Sequence, residues 1–206
     1  MIHHFRLPVF LGTVLKIKYM NIRSLNKNFS LLKKHFLTSD ILVAVETKTN
    51  IENLSYEYQH LNGVDFFYNK QVAICIKSKL KRYISNISNL KYALSIKFNF
   101  DHVEPLTVIG VYLPPNSKSD AFDVCEKIKK INHRHVICGD FNNNKKLFKL
   151  ISENKTIDNR QPTRSLKILD YFLSSNIPCV KMKYITELVL DHKILHAEYL
   201  LKSPPV

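Results

Sequence analysis

The sequence predicts an α+β protein in which sheets pack together and helices lie outside. Three observations lead there. Eight short strand-like runs are spread along the chain, several of them alternate apolar and polar residues, and three stretches of helical spacing fall between the runs.

The first run, VLKIKYMNI from Val14, alternates, so one face is apolar and the other polar. Ser30 to Leu37 follows as a helix, with Leu31, Leu32 and Phe36 at helical spacing and Ser30 placed to cap it. ILVAVET from Ile41 and VAICIKS from Val72 read as strands, and YALSIKFNF from Tyr92 alternates again. LTVIGVYL from Leu106 has the composition of a buried strand. The second helix runs from Ala121 to Ile131 on Val124, Ile128 and Ile131, and a third, short one from Lys145 to Ile151. HVICG from His135, ILDYFLS from Ile168 and ILHAEYLL from Ile194 complete the set. Interspersed helices of this kind fit an α+β layout rather than a doubly wound one. No repeat, low-complexity tract or linker divides the chain, so residues 1–206 are expected to form one domain with its core at about 14–201, and the Lys202–Val206 tail reads as a frayed end.

Charge and cysteines narrow the function classes. The chain carries 31 Lys and Arg against 17 Asp and Glu, a formal +14, which favours a polyanionic partner: nucleic acid first, an anionic membrane surface second. An A/T-biased coding sequence would also enrich lysine. The four cysteines, Cys75, Cys125, Cys138 and Cys179, lie far apart without C-x-x-C spacing, which argues against a zinc site or a disulfide framework. Arg6 and Pro8 interrupt the apolar start, so neither a signal peptide nor a membrane helix is expected, and an intracellular, reducing location is the default.

The segment HVICGDFNNN delivers Asp140 between a glycine and three asparagines. Gly139 permits a sharp turn or a close backbone approach, and the asparagines favour a tight loop. An isolated aspartate here would read as an Asx-turn carboxylate binding its own backbone. Its company argues for more. Asn21 ends KIKYMN, Glu46 ends ILVAVE, Tyr112 sits in VIGVYLPP, Asn142 follows Asp140, Asp170 precedes YFLSS, and Asp191-His192 interrupts LVLDHKIL. Carboxylates at the edge of a core are costly unless they share a cation, donors or protons. Oxygen-only ligands favour a hard cation, Mg²⁺ ahead of Mn²⁺ and Ca²⁺.

NIRSL (Asn21 to Leu25), VET (Val45 to Thr47), VYLPP (Val111 to Pro115), GDFN (Gly139 to Asn142), LDYFLSS (Leu169 to Ser175) and DH (Asp191-His192) stand in the order of the endonuclease/exonuclease/phosphatase superfamily, which the chain resembles from about Lys16 to Leu200. With the PTR at Pro162 to Arg164, the wording is most similar to the apurinic-type endonuclease domain of LINE-type (non-LTR) retrotransposons, while LDYFLSS also resembles cellular abasic-site endonucleases. The resemblance implies a four-layered α/β sandwich, two mainly antiparallel sheets flanked by helices, with a phosphodiesterase site where strand ends meet. It implies Glu46 as principal Mg²⁺ ligand, with Asn21 and Asp191 as direct or water-mediated partners. Asp140 would orient or deprotonate the attacking water, and Asn142 would hold that water or a phosphate oxygen. His192 would contact the scissile phosphate with Asp170 fixing its tautomer, and Tyr112 would reach the phosphate or leaving oxygen. On this reading Gly139 turns the backbone so that Asp140 and Asn142 both face the phosphate.

The chain departs from the resembled pattern where Leu190 replaces a usual Ser or Thr before Asp-His, Lys48 a common aromatic after VET, and Gln71 a frequent glycine. Arg23, Lys48 and Arg164 lie close to motifs and are the candidates for nucleic-acid contact. The expected activity is Mg²⁺-dependent nicking of one strand of duplex DNA by a monomer, without membrane attachment and in the nucleus or wherever the DNA resides. The rivals are an abasic-site endonuclease, a ribonuclease, a nucleotide or inositol phosphatase of the same fold, and a catalytically silent nucleic-acid-binding domain.

Overall fold

The computed structural model describes residues 14–48, 63–115, 119–142 and 144–201. The segment before Val14 and the Lys202–Val206 tail lie outside them. Among the described residues, twelve strands form two six-stranded sheets. The first holds β1 (Val14–Asn21), β2 (Ile41–Val45), β3 (Val64–Tyr68), β4 (Val72–Lys77), β11 (Cys179–Ile185) and β12 (Ile194–Leu200), in the order β11-β12-β1-β2-β4-β3. The second holds β5 (Ile84–Leu90), β6 (Ala93–Phe98), β7 (Leu106–Tyr112), β8 (His135–Asp140), β9 (Thr156–Ile157) and β10 (Asp170–Ser175), in the order β5-β6-β7-β8-β10-β9.

Each sheet is antiparallel except for one central pair, β1 with β2 and β7 with β8. A parallel pair needs a crossover, and a helix supplies it in both sheets: α1 (Leu25–Phe36) in the first and α2 (Ser119–Lys129) in the second. The two sheets therefore repeat one topology although the sequence shows no repeat. A third helix, α3 (Lys145–Ser152), packs beside α2.

Three cores make the four layers. Between the sheets, alternate residues such as Ile17, Tyr19, Val43, Ile74, Ile96, Val108, Cys138, Phe172 and Tyr199 interdigitate. Leu25, Leu32 and Phe36 of α1 cover Leu42, Ala44 and Cys75 on one outer face. Ala121, Val124 and Ile128 of α2, with Leu147 and Ile151 of α3, cover Ile109, Ile137 and Leu173 on the other. Gly110 allows the sheets to approach, since a Cβ there would stand 2.6 Å from Cγ1 of both Val43 and Val72. Two tyrosines of the first sheet also donate hydroxyls to aspartates of the second sheet's segments, Tyr19 to Asp170 at 2.6 Å and Tyr199 to Asp158 at 2.6 Å. The expected sandwich is thus present.

Helix α1 starts five residues before the expected boundary, and Ser30 lies inside it rather than capping it. Its first turn, with Asn26 and Asn28, has little helical pattern, and Asn28 leaves helical geometry to donate to the Ile22 carbonyl at 2.8 Å. Tertiary contact fixes the start: Leu25 N–H donates to the Thr47 carbonyl at 2.9 Å and the Leu25 side chain is buried. β3, β5, β9 and β11 were not expected from the sequence. β3, β5 and β11 are edge strands of largely half-buried or exposed residues, and β9 is two residues long, so an apolar run is missing in each.

Candidate active site

The parallel pairs aim their carboxyl ends at one place. Asn21 ends β1, Glu46 follows β2, Tyr112 ends β7 and Asp140 ends β8. In the second sheet Asp140 is in register with Tyr112 on one side and Asp170 on the other, so these three side chains share a row. Asn21 joins the sheets, donating through Nδ2 to Glu46 Oε1 at 2.8 Å and to Asp140 Oδ2 at 2.9 Å. His192 comes from the segment before β12, and its Nδ1 meets Asp170 Oδ2 at 2.7 Å. Asp140, Asp170 and His192 each present a ligand-type atom, all within 4.8 Å of one another.

Backbone conformation brings several of these groups to the surface of the site. Arg23, Glu46, Lys48 and Asn142 all have positive φ, at 57°, 54°, 50° and 47°. Four non-glycine residues held in the left-handed region around one cluster are costly and persist only where the surrounding fold enforces them. This corrects the expectation for Gly139, which is an extended strand residue. Its lack of a side chain serves a close approach, because a Cβ would stand 2.1 Å from the Val111 carbonyl oxygen of β7. The turn is made by Asn142, whose N–H donates to Asp140 Oδ1 at 2.8 Å and whose Nδ2 donates to the Leu113 carbonyl at 2.8 Å. Asp140 is therefore an Asx-turn carboxylate and a member of the cluster at once.

Burial sets the protonation chemistry. Burial, then the Asp170 charge, pushes the Asp140 carboxyl up to about 7, against the pull of the Asn142 N–H. Burial alone would lower the His192 imidazole, but the hydrogen bond and charge of Asp170 outweigh it and the net direction is up. Burial, then Glu46 and Asp140, raises the Tyr112 phenol to about 12, so it remains a neutral hydroxyl at working pH. Asp170 is fully buried, with one oxygen taken by Tyr19 and the other by His192.

The donor set fits a hard cation at Glu46 better than at Asp170, both of whose oxygens are already committed. Glu46 has Oε1 on Asn21 and Oε2 only 3.6 Å from the exposed Lys48 Nζ, and it stands beside the Asp140 carboxylate that Asn21 shares with it. Mg²⁺ commonly takes one or two carboxylates and completes its shell with water and substrate phosphate. Asn21 presents its donors to both carboxylates while its Oδ1 accepts from Arg23 N–H at 3.2 Å, so of the two expected roles the geometry favours the indirect one. Asp191 stands against two arginines: Arg23 Nη2 lies 2.6 Å and Arg164 Nε 2.8 Å from the same Oδ2. All three cations offered by the sequence thus sit at the rim, each paired with a site carboxylate.

Some contributors escaped sequence reading. Tyr19 precedes Asn21 by two residues on the same face of β1, so the alternation itself pointed inward to the site. Thr163 of the PTR stretch accepts from Leu169 and Asp170 N–H through Oγ1 at 3.0 and 3.1 Å, and its carbonyl accepts from Lys193 N–H at 2.7 Å. It ties the Asp170 strand to the His192 segment. Asn159 accepts from Phe172 N–H and donates to the Asp170 carbonyl. Leu190, in place of a hydroxyl, is buried in the α1-side core and anchors the segment by packing.

No family model and no curated protein matches the sequence. Solved structures do match. The AP endonuclease LMAP from Leishmania major superimposes with a TM-score of 0.73 at 13% identity, over 93% of this chain and 88% of that one. The chain has the endonuclease/exonuclease/phosphatase fold. Two further structures of this fold are similar to it. The 3'-5' exonuclease NExo from Neisseria meningitidis has a TM-score of 0.66 at 15% identity, over 90% of this chain and 99% of that one. The endonuclease domain of TRAS1, a telomere-specific non-LTR retrotransposon, has 0.64 at 11%, over 93% and 99%. Identities this low speak for the endonuclease/exonuclease/phosphatase fold alone. No helix among the described residues is long and apolar enough to cross a membrane.

Proposed function

We propose that this chain is a Mg²⁺-dependent phosphodiesterase that nicks one strand of duplex DNA. The observation that carries the reading is the cross-sheet cluster in which Asn21 bridges Glu46 and Asp140 while Asp170 holds His192. A hard cation at Glu46, when bound, neutralises charge on the phosphate oxygens. Asp140, raised to about 7 and within reach of Asn21 and the Asn142 backbone, has the basicity to orient and deprotonate a water near neutral pH. His192 presents Nε2, because Nδ1 is committed to Asp170, and in its protonated form it donates to the phosphate. Tyr112, a neutral phenol, supplies a donor for charge on the leaving oxygen. Arg23, Arg164 and Lys48 ring this point and would bind flanking phosphates once released from their carboxylates.

The formal +14 favours a polyanion over a small phosphate ester. The likeness to an AP endonuclease favours an abasic-site preference as the second reading. Incubation with supercoiled plasmid, abasic duplex, RNA and inositol phosphates, with Mg²⁺ or EDTA, separates the readings. Mg²⁺-dependent conversion of supercoiled to nicked plasmid is expected, whereas exclusive cleavage of the abasic duplex, RNA or inositol phosphate would select that rival. Silence on all four would leave a binding domain.

A further inference from the structure

On the outer face of the second sheet, beside α2, a cleft of about 330 Å³ opens over β5, β6 and β7. It uses the face opposite to the one that carries Tyr112, Asp140 and Asp170. Register rows build its floor. At one end Asn86, Lys97 and Thr107 are neighbours across the three strands. Next come Ser88 and Ser95, paired directly and small enough to leave a trough, and then Leu90 paired with Ala93. The helix side contributes Lys127 and Ile128, and the segment after it contributes His133. The cleft therefore grades from cationic and hydroxyl-rich at one end to apolar at the other.

No carboxylate lines it among the described residues, and neither Lys97 nor Lys127 has an ion-pair partner there. His133 is fixed across the cationic end by a 2.7 Å hydrogen bond between Nε2 and Thr107 Oγ1. Lys97 is in register with the same Thr107, and burial, and next the Lys97 charge, lowers the His133 imidazole below the usual value. Two lysines without ion-pair partners on the walls of one cleft, with hydroxyls beside them, suit a phosphate, and an adjoining apolar floor suits a flat ring. Clefts of roughly 300 Å³ and above hold small ligands.

We propose that this cleft binds a nucleoside phosphate, its phosphate between Lys97 and Lys127 and its ring on Leu90, Ala93 and Ile128. A free mononucleotide and the phosphorylated end of a strand offer the same chemistry. The site is separate from the strand-end cluster, so neither reading depends on the other.

The test follows the ring signals of His133 and His192 by NMR in the full chain. Deoxyadenosine monophosphate, inorganic phosphate and a 5'-phosphorylated oligonucleotide are titrated in turn, into the wild-type chain, Lys97→Ala, Lys127→Ala and the double variant. The His133 signal should move saturably, at lower concentration with the nucleotide than with inorganic phosphate. Each substitution should weaken this by about tenfold, the loss expected for one charge-assisted contact. The His192 signal reports the other site and the fold of each variant. Saturation by the mononucleotide marks a free ligand, and saturation by the oligonucleotide alone marks a strand end. Movement confined to His192, a His133 shift that survives both substitutions, or no His133 shift with any probe would overturn the proposal.

Discussion

Asp170 and His192 stand 2.7 Å apart in the interior, with the carboxylate fully buried and its second oxygen held by Tyr19. A buried carboxylate bonded on both sides fixes the imidazole in one orientation, leaving Nε2 for the substrate. Replacing Asp170 by Asn removes the charge and offers the wrong partner to Nδ1. Plasmid nicking should fall by about 10²-fold or more, in the range for a general acid or base. Tyr19→Phe leaves the carboxylate in place and should cost no more than about tenfold, the worth of one hydrogen bond. Equal losses in the two variants, measured as initial rates, would count against the tautomer role.

The cation-free protein should lose stability as pH rises. Asp140 has a folded-state value of about 7, above the roughly 3.9 of an unfolded aspartate, so its contribution is present below the unfolded value and is lost as pH rises through about 7. His192 is raised as well, and its contribution likewise disappears as pH climbs past its folded value. Melting in EDTA is expected several degrees lower at about pH 8.5 than at pH 6, since one kcal/mol shifts a domain of this size by about 2–4 °C. Asp140→Asn should flatten the dependence, and Mg²⁺ should oppose it. A pH-independent melting temperature in EDTA would remove the basis for Asp140 as the base.

Asp191 can be read as a partner of the cation or as the anchor of Arg23 and Arg164, which share its Oδ2. As an anchor, its replacement by Asn should raise KM for duplex DNA and alter the salt dependence of binding while leaving the Mg²⁺ half-saturation unchanged. A shift in Mg²⁺ requirement of about tenfold or more in this variant would assign it to the cation instead.

Gly139→Ala places a methyl 2.1 Å from the Val111 carbonyl oxygen, and backbone cannot yield as a side-chain tip can. Overpacking costs about 1–3 kcal/mol at ordinary sites, and a backbone clash belongs at or above the upper end. Urea melts read this directly, and an unchanged midpoint would mean that β7 and β8 part easily.

The central strands were legible in the sequence because each is an apolar run, and the site was legible because polar residues interrupt those runs at their carboxyl ends. Asp140 and Asp170 could be picked from chain order, yet their pairing in one row is a matter of register, which no local pattern specifies. The edge strands escaped because Ile84–Leu90 and Cys179–Ile185 carry exposed residues on both faces and no continuous apolar signal. The start of α1 escaped because its stabilising bond comes from Thr47, more than twenty residues away. Gly139 was legible as a special position, but which of its two uses applied depended on the neighbouring strand. Tyr19 was hidden by its type, since a tyrosine in an alternating strand reads as core until its hydroxyl partner is known.

Single-turnover nicking of supercoiled plasmid by the wild-type chain and by Glu46→Gln, each titrated with Mg²⁺, decides whether the strand-end cluster is a catalytic centre. The substitution keeps the volume and the Asn21 contact but removes the charge that would hold the cation. We expect a rate lower by about 10²-fold or more at saturating Mg²⁺, with duplex binding in EDTA changed by less than about threefold. A Glu46→Gln chain that nicks at the wild-type rate would contradict the assignment.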